Sequence, residues 1–183
     1  MKGTRHNGRS GKDGVYNPLH NDRRFDPEHS EHIDNERVRQ NIYWDCYQGY
    51  TTMEDRGKED NFSFSQIEMA YYSEHYSDYV INQNKRHEKA RHPDRCKGVE
   101  EILKNKKTCP EESIYQLGTI DEHASVETLI RVFDEFKKEF DERFGSNVHI
   151  IDWSLHMDES TPHIHAVSYT HLRAHETELH LVC

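Results

Sequence analysis

Trp153-Ser154-Leu155-His156-Met157-Asp158-Glu159-Ser160-Thr161-Pro162-His163-Ile164-His165-Ala166 decides how the rest of this chain is read. From His156 to His165 it holds three imidazoles and two carboxylates. Val148 to Leu155 before it is a β-rich run and Ile164 to Val167 after it is a second, so the polar residues between them read as a hairpin connection. Residues two apart in a strand share a face, which puts His163 and His165 on one side, about 6.6 Å apart along the backbone. His156, at the end of the first strand, closes over them from the neighbouring position. A helix would also gather His156, Glu159 and His163 on one face, but Pro162 opposes it. In mid-helix it removes a hydrogen bond and clashes with the preceding turn, at a cost of roughly 3 kcal/mol, and it biases Thr161 towards extended geometry. The spacing also departs from the H-E-x-x-H helix of zinc peptidases. Three neutral imidazoles converging at a hairpin suit a divalent cation such as Mn, Zn, Co or Ni, with one side open to substrate. Solvated surface histidines would explain one such residue more readily than three beside an Asp-Glu pair.

Residues 1 to 24 are rich in Gly, Asn, His and Arg with almost no apolar periodicity, and read as a loop. They contain two near-copies, His6-Asn7-Gly8-Arg9 and His20-Asn21-Asp22-Arg23. An arginine can grip a phosphate while an adjacent imidazole attacks it or shuttles its proton. In a chain with fifteen histidines such a pair also arises by chance, and from the residues alone a surface loop is the simpler reading.

The pattern His-x-Asp-Glu-x-x-Pro-His-x-His at 156 to 165 resembles the signature of the Mob/Pre family of plasmid relaxases and recombination enzymes, within the wider class of HUH endonucleases, with Ile164 as the hydrophobe between the paired histidines. The resemblance implies an α+β fold, an antiparallel sheet with packed helices, that nicks and rejoins single-stranded DNA site-specifically. It implies that His156, His163 and His165 hold the metal, Mn first and Zn, Co, Ni or Mg as the others, while Glu159 orients or deprotonates the nucleophile. The family is similar near its N-terminus too, where a His-Asn-x-Arg motif follows a Gly-containing loop and the histidine, rather than a tyrosine, is the implied nucleophile. That role falls to His20, since Gly14 precedes it, Arg23-Arg24-Phe25 follows it and His32-Ile33-Asp34 comes next; His6 is the reserve. Arg23 would neutralise phosphate charge. The implied partners are single-stranded plasmid DNA at a transfer origin and conjugation coupling proteins.

Bulk properties set bounds on this reading. A chain of 183 residues suits one domain. With 33% hydrophobic against 32% charged residues, the core must be lean. No run approaches the roughly 18 apolar residues of a membrane span, and a cytoplasmic location is expected. Cys46, Cys96, Cys109 and Cys183 form no close pair, which argues against a disulfide framework or a C-x-x-C knuckle. A net charge of −10 is the chief objection to a DNA partner. The charge is uneven, however. Residues 1 to 24 carry six Lys/Arg against two Asp, residues 85 to 109 nine against four acids, and residues 110 to 165 four against thirteen. The basic segments could line a DNA groove, or simply be solvated surface.

Along the remainder, Asn41 to Tyr47 reads as a short strand, with His32 a candidate partner of the site. Ser65-Gln66-Ile67-Glu68 has the form of a capping box opening a helix that runs to about Arg91, with Ile67, Tyr71, Tyr79 and Val80 as its buried stripe and its tyrosines as packing residues rather than nucleophiles. Val99 to Lys107 reads as a short basic helix. Pro110 is suited to start a further helical turn that Gly118 ends. Leu129, Val132, Phe133, Phe136, Phe140 and Phe144 recur at helical spacing between a Ser125 cap and Gly145. Ser168 to Thr177 resembles a peptide produced when sequencing-adapter DNA is translated at the end of a reading frame. Residues 1–167 are therefore expected to be the N-terminal part of a catalytic domain whose sheet is incomplete, and 168–183 a non-native tail in which His171, His175 and His180 have no role. Two rival functions stay open: a metal-dependent phosphoester hydrolase that uses an activated water, and a non-enzymatic DNA-binding fragment.

Overall fold

The hairpin expected from the histidine motif forms, and it is the centre of a six-stranded sheet. In the computed structural model, which describes residues 3–7, 17–24, 33–105 and 108–170, the elements in chain order are β1 (Gly3–Asn7), α1 (Pro18–Asn21), β2 (Ile42–Asp45), β3 (Gly49–Thr52), α2 (Met53–Arg56), α3 (Phe64–Lys89), α4 (Val99–Leu103), β4 (Glu111–Leu117), α5 (Val126–Phe144), β5 (Val148–His156) and β6 (His163–Thr170). The strand order is β1-β4-β6-β5-β2-β3, and every neighbouring pair is antiparallel. This is the expected α+β architecture.

Helices cover the sheet on both faces. Leu129 and Phe133 of α5 pack on Ile150, Trp153, Leu155, Ile164 and Ala166. Ile67, Tyr71, Tyr72, Tyr76 and Val80 of α3 pack on Ile151 and Tyr169. A register shift between Ile150 and Asp152 puts the consecutive Ile151 and Asp152 on the same α3 face, where regular alternation would separate them, and leaves Ile150 and Trp153 on the α5 face. Beyond that shift, Asp152, Ser154 and His156 alternate with Trp153 and Leu155, so the polar set shares the α3 face. The helix stripes are narrower than the sequence suggests, since Tyr79, Val132 and Phe144 are exposed.

Several expectations need correction. The helical turn expected from Pro110 to Gly118 is strand β4, paired with β1 on one side and β6 on the other. Pro110 lies just before the strand, where no ladder donor is required. Gly118 ends it at φ 100, where an added Cβ would meet the Glu122 carbonyl oxygen at 2.2 Å. The N-terminal segment is not all loop: Gly3 to Asn7 pairs with Leu117 to Ser113 as an edge strand, and Asn17 caps a turn of helix with Pro18 at its start. The cap of α3 is Ser63 with Gln66, two residues before the expected Ser65. Strand β6 continues through Thr170, placing Ser168 opposite Glu111 and Thr170 opposite Val148. His32 and residues 171–183 lie outside the described residues.

Candidate functional site

The hairpin register sets His156 opposite His163 where β5 and β6 meet their connection, and Ser154 opposite His165 two pairs further in. The three rings converge on the α3 face. Ring centroids lie 4.6 Å apart for His156 and His165, 4.9 Å for His163 and His165, and 5.5 Å for His156 and His163. One cross-strand pair and the residue two further along β6 bring three imidazoles within contact of one another.

Each ring has one nitrogen engaged outside the cluster. His163 Nδ1 lies 2.7 Å from the Thr161 carbonyl oxygen, and His165 Nδ1 lies 2.7 Å from Glu112 Oε1. His156 Nε2 lies 3.0 Å from the Asn21 carbonyl oxygen and 3.1 Å from Ser154 Oγ. Because the carbonyls and the carboxylate can only accept, these partners assign the proton of each neutral ring to its outward nitrogen. The inward nitrogens then carry lone pairs. His163 Nε2 and His165 Nε2 face one another at 3.0 Å, and His156 Nδ1 is buried with no partner at hydrogen-bond distance among the described residues, Glu159 Oε1 lying 3.6 Å off. Two acceptors in contact and a third left orphaned are unfavourable alone and match what a divalent cation requires.

His20 joins this cluster from α1. Its ring centroid is 5.4 Å from that of His156 and 5.3 Å from that of His165. Unlike the buried hairpin rings, its side chain is 41% exposed, so it is the imidazole a substrate can reach. Glu159 Oε1 lies 3.6 Å from His20 Nε2 and 3.6 Å from His156 Nδ1, and Glu159 Oε2 lies 3.7 Å from His163 Nε2. Two sets of three residues have one donor atom each within 4.8 Å of the others: His20, His156 and His165, and His156, Glu159 and His163. They share His156, and together they contain all of the expected ligands, nucleophile and acid.

Arg23 is placed differently from the expectation that it faces a phosphate. It adopts φ 54, and its side chain is 1% exposed. Its guanidinium donates to Asp158 Oδ2 and Oδ1 at 2.8 Å each, to Glu159 Oε1 at 2.6 Å and to the His20 carbonyl at 3.0 Å. Asn41 completes the link, donating to Asp158 Oδ2 at 2.9 Å and accepting from the Met157 amide at 2.7 Å. The arginine thus ties the α1 turn to the hairpin connection. A second tie comes from Asn21 Nδ2, which donates to Glu112 Oε1 at 2.8 Å, the same oxygen that meets His165. Asp22 anchors α1 to α2 and α3 by pairing with Arg56 and accepting from the Phe64 amide at 3.0 Å.

Protonation equilibria follow this burial. Desolvation, then the charge of Arg23 and of His165, pushes His20 down to about 4. Burial also holds His156 and His163 below the usual imidazole range. Burial works against the charge of Glu159, but the His156 ring and the Arg23 guanidinium outweigh it and hold the carboxyl well below its ordinary range. At neutral pH His20, His156 and His163 are neutral imidazoles beside the ionised Glu159.

Glu112 and Asn41 were not legible as site residues from sequence, and Asp158 and Asn21 lay inside the quoted motifs without an assigned role. Glu112 lay in the stretch read as helical. Strand alternation with Ile114, which is opposite His165, was the signal available. The backbone of His6 lies on β1 opposite Ile114, two strands from β6 and so about 10 Å away across the sheet.

The family model of plasmid recombination enzymes matches residues 54–179. Among solved structures, the MobM relaxase domain (MOBV; Mob/Pre) bound to plasmid pMV158 oriT DNA, in a Mn-bound crystal structure at pH 6.8, is 24% identical, covers 91% of this chain and 69% of its own, and aligns with a TM-score of 0.50. The Mn-bound structure of the same domain with oriT DNA at pH 4.6 is 24% identical, covers 91% of this chain and 70% of its own, with a TM-score of 0.48. No curated protein matches.

Proposed function

Because the chain belongs to the plasmid recombination enzyme family, we propose that it is a relaxase, nicking and rejoining one strand of plasmid DNA at a transfer origin with His20 as nucleophile. The observation that carries this reading is the approach of His20 to the three hairpin imidazoles. The family match begins at residue 54, so the placement of His20 is independent support.

His156 Nδ1, His163 Nε2 and His165 Nε2 are the nitrogens that would hold a divalent cation, and the Mn in the related relaxase domain is the reason to name Mn first. Bound there, the ion would polarise a non-bridging oxygen of the scissile phosphate and stabilise the charge that builds on it. The chain's own residues do the rest. A ring nitrogen of His20 attacks phosphorus, forming an N–P bond to the 5′ side as the P–O3′ bond breaks. The 3′ oxygen leaves and takes up a proton from solvent. Glu159, 3.6 Å from His20 Nε2, holds or takes the proton on that ring. Rejoining is the reverse attack by the 3′ hydroxyl, so no ATP is required. Arg23 acts by position: its bonds to four oxygens, on Asp158, Glu159 and the His20 carbonyl, hold Glu159 and the α1 turn in place, and its burial favours this over direct contact with phosphate. Asp158 fixes Arg23. Glu112 orients His165, as a carboxylate behind a metal-binding histidine does.

The test is incubation of labelled single-stranded oligonucleotides, tiling the transfer origin of a mobilisable plasmid, with the protein and Mn²⁺, followed by a denaturing gel. A protein–DNA adduct is expected for the native chain and for His6→Ala, and none for His20→Ala. Cleaved DNA without an adduct would favour the hydrolase reading, and an adduct that survives His20→Ala would move the nucleophile elsewhere. No helix among the described residues is long and apolar enough to cross a membrane.

A further inference from the structure

The basic stretch at residues 85 to 109 has no part in the chemistry just described, yet it folds into a defined lobe. The last turns of α3, the 3-10 turn Pro93–Arg95 and α4 enclose a cleft of about 460 Å³ lined by Gln83, Asn84, His87, Arg95 and Lys97 together with Tyr79, Asp94 and other residues. Asn84 fastens the lobe, donating to the Lys97 carbonyl at 2.8 Å and accepting from the Lys97 amide at 3.0 Å. Val99, Ile102 and Leu103 seat α4 on the α3 core.

Three features set this surface apart from an ordinary solvated charge run. First, Lys85, Arg86, Lys89, Arg91, Arg95 and Lys97 are all exposed, and none of them makes an ion pair among the described residues. The α4 acids are engaged locally, Glu100 with Lys104 at 2.5 Å and Glu101 with the Gly98 amide; Glu88 and Asp94 are the remaining acids of the lobe. Second, Arg91 sits at φ 62 just past the end of α3, its amide bonding the Glu88 carbonyl at 2.9 Å while the His92 amide bonds the His87 carbonyl at 2.8 Å. This left-handed closing position favours glycine, and an L side chain there costs about 1 kcal/mol. The chain has an arginine where conformation alone would select glycine. Third, the lobe is at a defined distance from the site. Helix α3 starts beside α1, where the Phe64 amide meets Asp22, and the basic residues of its last turns, Lys85 to Lys89, lie about 32–38 Å along it from that start. One turn of B-DNA is about 34–36 Å.

We propose that this lobe docks duplex DNA by its phosphate backbone, roughly one helical turn from the point of nicking, so that the protein grips the double-stranded flank while the histidine site works on the single strand. The inference rests on the relaxase reading for its substrate. Helix α5 carries six acids against four bases, which disfavours the α5 side as an alternative track for phosphates.

The experiment measures fluorescence anisotropy of the full chain and of an Arg91→Glu/Arg95→Glu/Lys97→Glu variant on two probes, with circular dichroism to confirm that the variant folds. One probe is a short single strand, and the other is the same strand extended by duplexes of 6 to 14 base pairs. The native chain is expected to gain affinity only once the duplex reaches about 10 base pairs. The variant should lose at least ten-fold in affinity for the long-duplex probe, with a log–log salt slope shallower by about three, and bind the short strand unchanged. Equal affinity of variant and native chain for the long-duplex probe, an affinity gain independent of duplex length, or an equal loss on both probes would overturn it. Failure of the relaxase reading would appear separately, as absence of a covalent adduct with the native chain.

Discussion

The two faces of one hairpin are buried equally and built differently. On the α5 face Trp153, Leu155, Ile164 and Ala166 are buried apolar side chains in an ordinary core. On the α3 face, alternate residues of the same strands, Asp152, Ser154, His156 and His165, are as fully removed from water. Burying polar groups costs free energy unless each finds a partner. The apolar face stabilises the fold, whereas the polar face draws on that stability to hold imidazoles in a fixed arrangement. Such a division is expected where a rigid scaffold preorganises a site.

The sharpest way to break this comparison is to cut the polar face at its anchor. Asp158→Ala leaves the Arg23 guanidinium buried and short of its two main bonds, and breaking a buried pair in this way costs about 3–5 kcal/mol. Urea unfolding should show a loss of that size together with loss of adduct formation. A loss below about 1 kcal/mol would mean that the α1 turn is not held by this pair. On the apolar face Leu155→Ala should cost about 2–5 kcal/mol through lost burial and the cavity left behind, with metal binding retained once the variant is folded. If Leu155→Ala abolished metal binding in folded protein, the two faces would not be separable.

The smallest effect is expected at Asp152. Both of its carboxylate oxygens are buried without a hydrogen-bond partner among the described residues. Burial, then the charge of Glu68, Asp45 and Asp22, raises its pKa well above the ordinary carboxylate value. The folded state therefore keeps a proton that the unfolded chain releases, and this contribution to stability is lost as pH rises above about 4. Asp152→Asn removes the penalty, so it should gain about 1–2 kcal/mol over the native chain at pH 7.5 and nothing at pH 3.5. Melting curves at the two pH values check this, and a variant less stable at pH 7.5 would contradict it.

The histidine cluster was legible because its three rings fall within ten consecutive residues, where strand alternation alone brings them together. Helix α5 was legible for the same local reason. What escaped depends on long-range pairing. Glu112 meets His165 across 53 residues of sequence, and its strand was hidden by a proline that reads locally as a helix start. Arg23 was legible as a site residue, but its partner was not, since Asp158 lies 135 residues away and nothing local distinguishes an arginine that contacts phosphate from one that braces a turn. Edge strand β1 has little apolar content of its own and is defined by pairing with β4.

The proposed chemistry requires the inward nitrogens of His156, His163 and His165 to meet at one ion. Titration of Mn²⁺ into the full chain, with free Mn²⁺ followed by electron paramagnetic resonance, tests that directly. One ion is expected per chain, with affinity reduced at least 100-fold by alanine at any of the three hairpin histidines and left within a few-fold by His20→Ala. A native chain that binds no Mn²⁺, or hairpin variants that bind it as the native chain does, would contradict the account.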